Sequence, residues 1–394
     1  SYALATSGVS VSLATNTGTV GEATGDTLTS IEALVGSAFA DTLEGGASAE
    51  TLDGGAGDDL LLASAGADTL TGGTGFDTAS YATAASSVTV NLDGSSSSGD
   101  IAAGDRLTSV ESVIGSAFND IITGTFSDDT LIGGAGDDIL SGGTGNDIVS
   151  GGTGNDTLRG DAGADQIDGG AGTDIVSYST SSAGVSIDLA AGTASGGDAT
   201  GDTFVNVEQF VGSRLSDTLV GGAGNDVFDG FDGNDTLRGA AGDDTLNGGI
   251  GDDSIEGGAG ADAIDGGAGI DTADYSASSA AVTIRTAGTS SGGDAAGDVL
   301  TNIELILGSA TIDVCAAADD KHIFTGGAGD DVFIVSGGAD VYRGGTGIDT
   351  VDYSSSLSNG MKIYMDGSFG TGGDAAGDRL FEIELVIGSA QGDE

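Results

Sequence analysis

The sequence of 394 residues contains no proline, no tryptophan, one cysteine and only nine lysine and arginine residues. A collagen-like chain needs abundant proline with glycine at every third position, and a disulfide scaffold needs many cysteines, so both classes are excluded. Nine scattered cations form no basic patch, which excludes nucleic acid as a partner. No stretch reaches the roughly 18 apolar residues of a membrane helix, so we expect no membrane span.

Glycine and acidic residues are abundant instead. The chain has 76 glycines and 62 aspartates and glutamates, and its formal net charge is −53. Acidic chains with few aromatic residues often stay unfolded, yet 38% of these residues are hydrophobic. The chain therefore has apolar side chains to bury and an excess of carboxylates that needs a counter-charge.

A nine-residue repeat of the form G-G-x-G-x-D-x-U-x, in which U is a large apolar residue, dominates the sequence. We find 24 full repeats, with an apolar residue at position eight in all of them and aspartate at position six in 22. The two exceptions at position six are Glu50 and His322. The repeats form four blocks, at 36–80, 115–177, 212–274 and 308–352, and a further block begins at 388–394.

A second module, which begins with a tyrosine, separates the blocks. Each copy contains an alternating strand-like run, an acidic glycine turn such as GGDATGD (196–202) and a closing apolar run. We therefore predict ordered β linker modules between the repeat blocks, at 1–35, 81–114, 178–211, 275–307 and 353–387.

The repeat predicts an all-β parallel solenoid. Its glycines allow positive φ and a tight turn, and x-U-x forms a three-residue strand with only U facing the core. A turn and a short strand make half a coil, so two repeats complete one coil. One buried side chain per nine ordered residues is a small core, and the aspartates repel one another. A hard cation such as Ca²⁺, which binds carboxylate and carbonyl oxygens, would supply the missing stabilisation.

These repeats resemble the RTX, or hemolysin-type calcium-binding, repeat family. The resemblance implies parallel β-roll blocks with Ca²⁺ between neighbouring turns, joined by the β modules into a rod-like array. It also implies export, typically by type I secretion, from a bacterial cell and folding on calcium outside it. By motif position, the metal ligands would be Asp59, Asp68, Asp77, Asp129, Asp138, Asp147, Asp156, Asp165, Asp174, Asp226, Asp235, Asp244, Asp253, Asp262, Asp271, Asp331, Asp340 and Asp349.

Three repeats depart from the pattern. The repeat 45–53 lacks the third glycine and has Glu50, 317–325 has no glycine and has His322, and 335–343 shifts its glycine pair but keeps Asp340. If each ion lies between a repeat and the next but one, the four blocks offer roughly 16 Ca²⁺ sites. Sixteen ions would change the net charge from −53 to about −21.

The glycine turns of the linker modules have two interpretations. Aspartates recur there at a spacing of four, as in Asp198 and Asp202, and a glutamate such as Glu208 follows. These residues either form a second class of metal site or lie in solvated turns with local Asx hydrogen bonds.

No motif predicts catalysis. The only histidine is His322, no H-E-x-x-H sequence occurs, and GTSSG (288–292) lies in a serine- and glycine-rich turn rather than between a strand and a helix. We therefore expect a non-enzymatic, extracellular segment of a surface layer, matrix filament or long adhesin. The alternative is the secretion and folding region of a larger secreted enzyme or toxin. Both ends fall within a repeat, so we expect head-to-tail self-association or continuation into more repeats.

Overall fold

The computed structural model describes residues 1–316, 321–358, 360–391 and 393. Its regular structure in this part of the chain consists of short strands and single-turn 3₁₀ helices, which confirms the all-β prediction. The 3₁₀ helices are Gly21–Ala23, Asp100–Ala102, Gly197–Ala199, Gly293–Ala295 and Gly373–Ala375. Across the described residues, no helix has the length and apolar character needed to cross a membrane.

The chain divides into two compact units. The first comprises Ser1–Tyr178 and Ala194–Gln209, and the second comprises Ser179–Thr193 and Phe210–Glu394. The division of the chain into linker modules and repeat blocks stays a prediction.

Strands of three residues, and one of four, occur throughout. They are Ser10–Ser12, Thr17–Val20, Ala33–Val35, Thr42–Glu44, Leu60–Leu62, Thr78–Ser80, Thr89–Asn91, Arg106–Thr108, Ser112–Ile114, Ile121–Thr123, Ile175–Ser177, Ser186–Asp188, Thr193–Ser195, Thr203–Val205, Gln209–Val211, Thr218–Val220, Val227–Asp229, Thr272–Asp274, Thr283–Arg285, Val299–Thr301, Leu305–Leu307, Val314–Ala316, Val332–Ile334, Thr350–Asp352, Arg379–Phe381 and Leu385–Ile387.

Strands of six residues lie within the repeat blocks. They are Thr51–Ala56, Thr69–Thr74, Thr130–Ala135, Ile139–Thr144, Ile148–Thr153, Thr157–Ala162, Gln166–Ala171, Thr236–Ala241, Thr245–Ile250, Ser254–Ala259, Ala263–Ala268, Ile323–Ala328 and Val341–Thr346.

Each strand of a block, apart from those of its last two repeats, pairs in parallel with the strand two repeats later. Leu131 lies beside Val149 and Val149 beside Ile167, while Leu140 lies beside Leu158 in a second sheet. The register of 18 residues confirms that two nonapeptides make one coil of a parallel β-roll. The apolar side chains at position eight form the core between the sheets, and each is at most 2% exposed.

The longer strands extend beyond the predicted three residues into the next repeat. In Ile139–Thr144, the side chain of Leu140 and the backbone of Gly142 are both buried. The ladder continues through the glycine pair, with Gly143 beside Asp161. Glycine permits this because it needs no room for a side chain at the point where a strand enters the turn.

The linker modules also join the ladder. Ser186–Asp188 pairs in parallel with Thr218–Val220 of the following block, and Thr203–Val205 pairs with Gln166–Ala171 of the preceding one. The alternating strand-like run of this module, residues 185–189, therefore forms a strand of three residues, Ser186–Asp188.

Candidate metal centres

The position-six aspartates of alternate repeats are joined in rows by hydrogen bonds. The backbone N–H of Asp129 donates to Oδ1 of Asp147 at 2.8 Å, and the N–H of Asp147 donates to Oδ1 of Asp165 at 2.8 Å. Each block has two such rows. We call the row of odd-numbered repeats the first row and the row of even-numbered repeats the second row.

The first carboxylate of each first row accepts hydrogen bonds from a serine of its own turn. In the third block, Oδ2 of Asp217 accepts a bond from the Ser213 N–H at 2.6 Å, and Oδ1 accepts one from the Ser213 hydroxyl at 2.8 Å. The linker contributes a further donor, because the Val185 N–H also bonds to Oδ1. Equivalent serines bond to Asp41, Asp120 and Asp313.

Acidic residues of the following linker module end both rows. In the second block, Glu208 accepts the N–H of Asp174, and Oδ1 of Asp202 accepts the N–H of Asp165 at 2.9 Å. The hydroxyl of Tyr178, the first residue of the module, donates to Oδ2 of Asp202 at 2.6 Å. The same tyrosine–aspartate bond recurs in the pairs Tyr81–Asp105, Tyr275–Asp298 and Tyr353–Asp378.

Inside the rows, most aspartates of the described chain have a second carboxylate oxygen that is buried and has no hydrogen-bond donor. This holds for Oδ2 of Asp59, Asp77, Asp138, Asp147, Asp156, Asp165, Asp174, Asp235, Asp244, Asp253, Asp262, Asp271, Asp331 and Asp349. Burying a carboxylate oxygen without a donor is costly unless a cation compensates for the lost hydration. Fourteen such atoms in regular rows therefore indicate bound cations rather than isolated packing defects.

The glycine at position one leaves the space beside each of these oxygens open. A β-carbon at Gly142 would collide with Oδ2 of Asp147 and would lie 2.7 Å from the carbonyl oxygen of Gly160. A carboxylate oxygen and a backbone carbonyl oxygen thus converge where any other residue would place a side chain. This donor set suits Ca²⁺, which prefers carboxylate and carbonyl oxygens.

Burial raises the pKa of these carboxyl groups above the usual range. Desolvation is the largest cause, neighbouring carboxylates add to it, and the hydrogen bond from the preceding aspartate of the row opposes it. The pKa rises to about 7 for Asp59, Asp138, Asp165 and Asp235. It rises to about 6 for Asp147, Asp244, Asp262, Asp271 and Asp331. A nearby divalent cation would favour the ionised form and reverse these shifts.

No group of three or more histidine, cysteine, aspartate or glutamate side chains converges on a metal position in the described parts of the chain. The carboxylates are instead distributed singly along the rows. A cation there would need backbone carbonyls of the glycine turns beside each carboxylate. The eighteen predicted ligands stay a prediction.

Comparison with known families supports this interpretation. The model of the RTX calcium-binding nonapeptide repeat matches residues 29–61, 44–79, 114–149, 141–176, 211–246, 239–273 and 323–351, which together cover just over half of the chain. The chain belongs to the RTX calcium-binding nonapeptide repeat family. RTX repeats bind calcium, so this is a calcium-binding repeat protein. No curated protein matches the chain.

Four of the eighteen aspartates that the RTX motif predicts as ligands differ from the other fourteen. Oδ2 of Asp68 accepts a hydrogen bond from the Ser64 hydroxyl, and Oδ2 of Asp340 accepts one from the Tyr342 hydroxyl. Oδ2 of Asp129 accepts bonds from the backbone N–H and the hydroxyl of Thr125. Oδ2 of Asp226 accepts the backbone N–H of Gly222. Asp129 and Asp226 begin second rows, whereas Asp68 and Asp340 lie inside them.

The sequence placed Asp202 and Glu208 in and after an acidic glycine turn, but it did not predict that these residues end the RTX rows. Asp202 is 37 residues from Asp165 and Asp298 is 36 from Asp262, so these partners do not follow the 18-residue period. The only signal was the recurrence of a tyrosine and an acidic glycine turn in each module. The solvated-turn interpretation does not hold for Asp202, because this residue is 3% exposed and ends a row. Metal binding at these turns stays a prediction.

Proposed function

We propose that this protein is an extracellular structural segment in which calcium ions along the edges of the β-rolls stabilise the fold. The observation that carries the proposal is the set of fourteen buried Oδ2 atoms without donors. Each lies beside a position-one glycine. Metal bound only by the folded turns contributes its binding free energy to folding.

The fourteen oxygens also suggest a number of ions. One ion between each repeat and the next but one predicts sixteen sites, two more than the fourteen oxygens. The two excess sites are those of Asp68 and Asp340, whose Oδ2 atoms accept hydroxyl hydrogen bonds. Fourteen Ca²⁺ would carry +28 and leave a net charge of about −25, compared with −53 without metal.

We propose a role in a surface layer, matrix filament or long adhesin rather than catalysis. The repeat rows and the linker strands that extend them occupy the described chain from Ser10–Ser12 to Leu385–Ile387, and a calcium-loaded ladder of this kind gives stiffness without an active site. Secretion from a bacterial cell is part of this proposal, because millimolar calcium is found outside cells.

Self-association is a further part of the proposal. Among the described residues, Arg379–Phe381 and Leu385–Ile387 each end a sheet and have one ladder partner apiece. An unpaired strand edge is a template for another strand. Association of copies through such edges should need Ca²⁺, and light scattering of the chain with and without EDTA measures it.

The proposal is tested by two neighbouring variants of one turn. Asp138 and Asp137 occupy positions six and five of the same repeat, but Asp137 is exposed. Asp138→Asn should weaken calcium binding about tenfold at that site, because it replaces the oxygen that lacks a donor. Asp137→Asn, the control, removes the same charge but keeps the side-chain oxygen that accepts the Asn155 N–H.

Isothermal titration calorimetry with CaCl₂ measures both variants. A lower affinity or stoichiometry in Asp138→Asn, with Asp137→Asn close to the unmodified chain, supports the proposal. Equal losses in the two variants would show that calcium responds only to net charge.

A further inference from the structure

The first and fourth blocks each contain an inner aspartate whose second oxygen already has a donor. In the first block, the Ser64 hydroxyl donates to Oδ2 of Asp68 at 3.0 Å. In the fourth, the Tyr342 hydroxyl donates to Oδ2 of Asp340 at 3.0 Å. At the equivalent positions of the second and third blocks, Oδ2 of Asp147 and Asp244 has no donor.

Position one of these two repeats is also different. The fourteen repeats whose Oδ2 lacks a donor all have glycine at position one, whereas the repeats of Asp68 and Asp340 have Ala63 and Val335. Both side chains are buried, at 5% and 3% exposure. A side chain therefore begins at the position where glycine leaves room beside the carboxylate in the other repeats.

The other carboxylates of the two rows that contain Asp68 and Asp340 also have hydrogen-bond donors. In the first block, Glu50 stands in place of aspartate, and its oxygens accept bonds from the N–H groups of Gly46 and Ser48. The row ends at Asp105, whose Oδ2 accepts the Tyr81 hydroxyl at 3.1 Å. No carboxylate oxygen of this row is left without a donor among the described residues.

In the fourth block, His322 replaces the aspartate that precedes Asp340. The backbone N–H of His322 donates to Oδ1 of Asp340 at 2.9 Å, and the ring Nδ1 of His322 lies 3.9 Å from the same oxygen. Asp378 ends the row and accepts the Tyr353 hydroxyl at 2.8 Å. Beside the row, the rings of Phe324 and Tyr342 stack at 5.7 Å, so aromatic packing provides stabilisation here.

We propose that the second rows of the first and fourth blocks hold no calcium. These two blocks then bind calcium along the first row alone, whereas the second and third blocks bind it along both rows. Serine and tyrosine hydroxyls satisfy the carboxylates that metal ions satisfy elsewhere. This inference rests on the proposed function, because it assigns calcium to the fourteen carboxylates that have no other partner.

Matched pairs of variants within one block test the inference. Asp340→Asn is paired with Asp331→Asn in the fourth block, and Asp68→Asn with Asp59→Asn in the first. Asparagine keeps Oδ1, which accepts the ladder N–H at all four positions. Its amide can also donate to the Ser64 or Tyr342 hydroxyl. Native mass spectrometry of the full chain in calcium counts bound ions as integers, and circular dichroism verifies that each variant is folded.

We expect fourteen ions on the unmodified chain, a loss of at least one in Asp331→Asn and Asp59→Asn, and no loss in Asp340→Asn and Asp68→Asn. A loss in Asp340→Asn or Asp68→Asn equal to that of its partner overturns the inference. Sixteen ions on the unmodified chain overturns it as well, even if a variant fails to fold. No calcium on the unmodified chain, or no loss in Asp331→Asn and Asp59→Asn, contradicts the proposed function instead.

Discussion

The backbone N–H of Asp129 donates a hydrogen bond to Oδ1 of Asp147, eighteen residues later, while Oδ2 of Asp147 is buried without a donor. One carboxylate therefore has two roles. Its first oxygen holds adjacent coils together in the row, and its second is available to a cation. The two roles can be separated by substitution, because asparagine retains the first and loses the second.

At Asp147, we expect alanine to be more destabilising than asparagine. Both substitutions remove the charged oxygen and should weaken calcium binding about tenfold at that site. Alanine also leaves the buried N–H of Asp129 without an acceptor, which costs a further ~1–3 kcal/mol. Urea unfolding at saturating calcium measures the difference. Equal free energies of unfolding for the two variants would show that the row of hydrogen bonds contributes nothing.

Substitution of a position-one glycine should block a calcium site directly. In Gly142→Ala, the new methyl would meet Oδ2 of Asp147 and the carbonyl oxygen of Gly160. We expect a destabilisation of ~1–3 kcal/mol from overpacking and the loss of calcium at this turn. Gly224→Ala is the control, because a β-carbon at Gly224 meets nothing within 4 Å. Calorimetry that gives the two variants the same calcium stoichiometry would refute the role of Gly142.

The tyrosine hydroxyl that donates to the last aspartate of each second row should contribute to stability. Tyr178→Phe removes the donor to Oδ2 of Asp202, which is 3% exposed, and should cost ~1–3 kcal/mol. Tyr364→Phe is the matched control, because Tyr364 is 40% exposed. Thermal melting in calcium measures both. If Tyr178→Phe and the control have the same melting temperature, the hydrogen bond from Tyr178 to Asp202 does not contribute to stability.

The metal-free fold should become more stable as the pH falls from about 8 to about 5. The pKa of Asp138 is about 7 in the fold and about 3.9 in the unfolded chain, so the fold binds more protons between these values. Stability from such groups is fully present below the unfolded pKa and is lost as the pH rises through the folded pKa.

Far-ultraviolet circular dichroism in EDTA at pH 5 and pH 8 tests this pH dependence. We expect a larger folded fraction at pH 5 than at pH 8 in EDTA, and weaker calcium binding at pH 5 because protons compete for the same oxygens. A folded fraction in EDTA that rises from pH 5 to pH 8 would contradict the assignment of raised pKa values to buried row carboxylates.

The repeat period predicted the coil and the core, because both depend on local spacing. A position-eight residue such as Leu140 faces inward whenever a coil contains two nonapeptides, and its partner Leu158 follows from the count of 18 residues. The predicted carboxylates inside the rows also follow from the period. The period does not predict which of these carboxylates lack a hydrogen-bond donor, because no sequence motif marks Ser64 and Tyr342 as hydroxyl donors.

The ends of the blocks were predicted less well. The large apolar residues Phe76, Ile270 and Ile348 stand at position five of the last repeats. They are 47%, 59% and 61% exposed, so the next linker module does not cover these side chains. Their N–H groups continue an outer ladder, as in the bond from Ile270 to Asp252. In this outer ladder, a position-five side chain accepts the N–H of the position-five residue two repeats later. The last repeat has no such later N–H, so aspartate or asparagine is not required at its position five.

The linker module instead contacts the preceding block at an alanine in the last repeat but one. The methyl of Ala164 lies 2.9 Å from where a β-carbon at Gly201 would be, and Gly201 has a φ of +95°. Only glycine fits both the close approach and this backbone conformation. The contact recurs between Ala67 and Gly104, Ala261 and Gly297, and Ala339 and Gly377. Sequence spacing could not reveal it because the linker length varies between modules.

Far-ultraviolet circular dichroism of the full chain, in excess EDTA and then in millimolar calcium, tests the central claim most directly. Fourteen buried carboxylate oxygens without donors should prevent the metal-free chain from holding the β-roll at neutral pH. We expect a largely unfolded spectrum in EDTA and a β-rich spectrum in calcium. A β-rich spectrum in EDTA that calcium leaves unchanged would contradict the claim that calcium stabilises this fold.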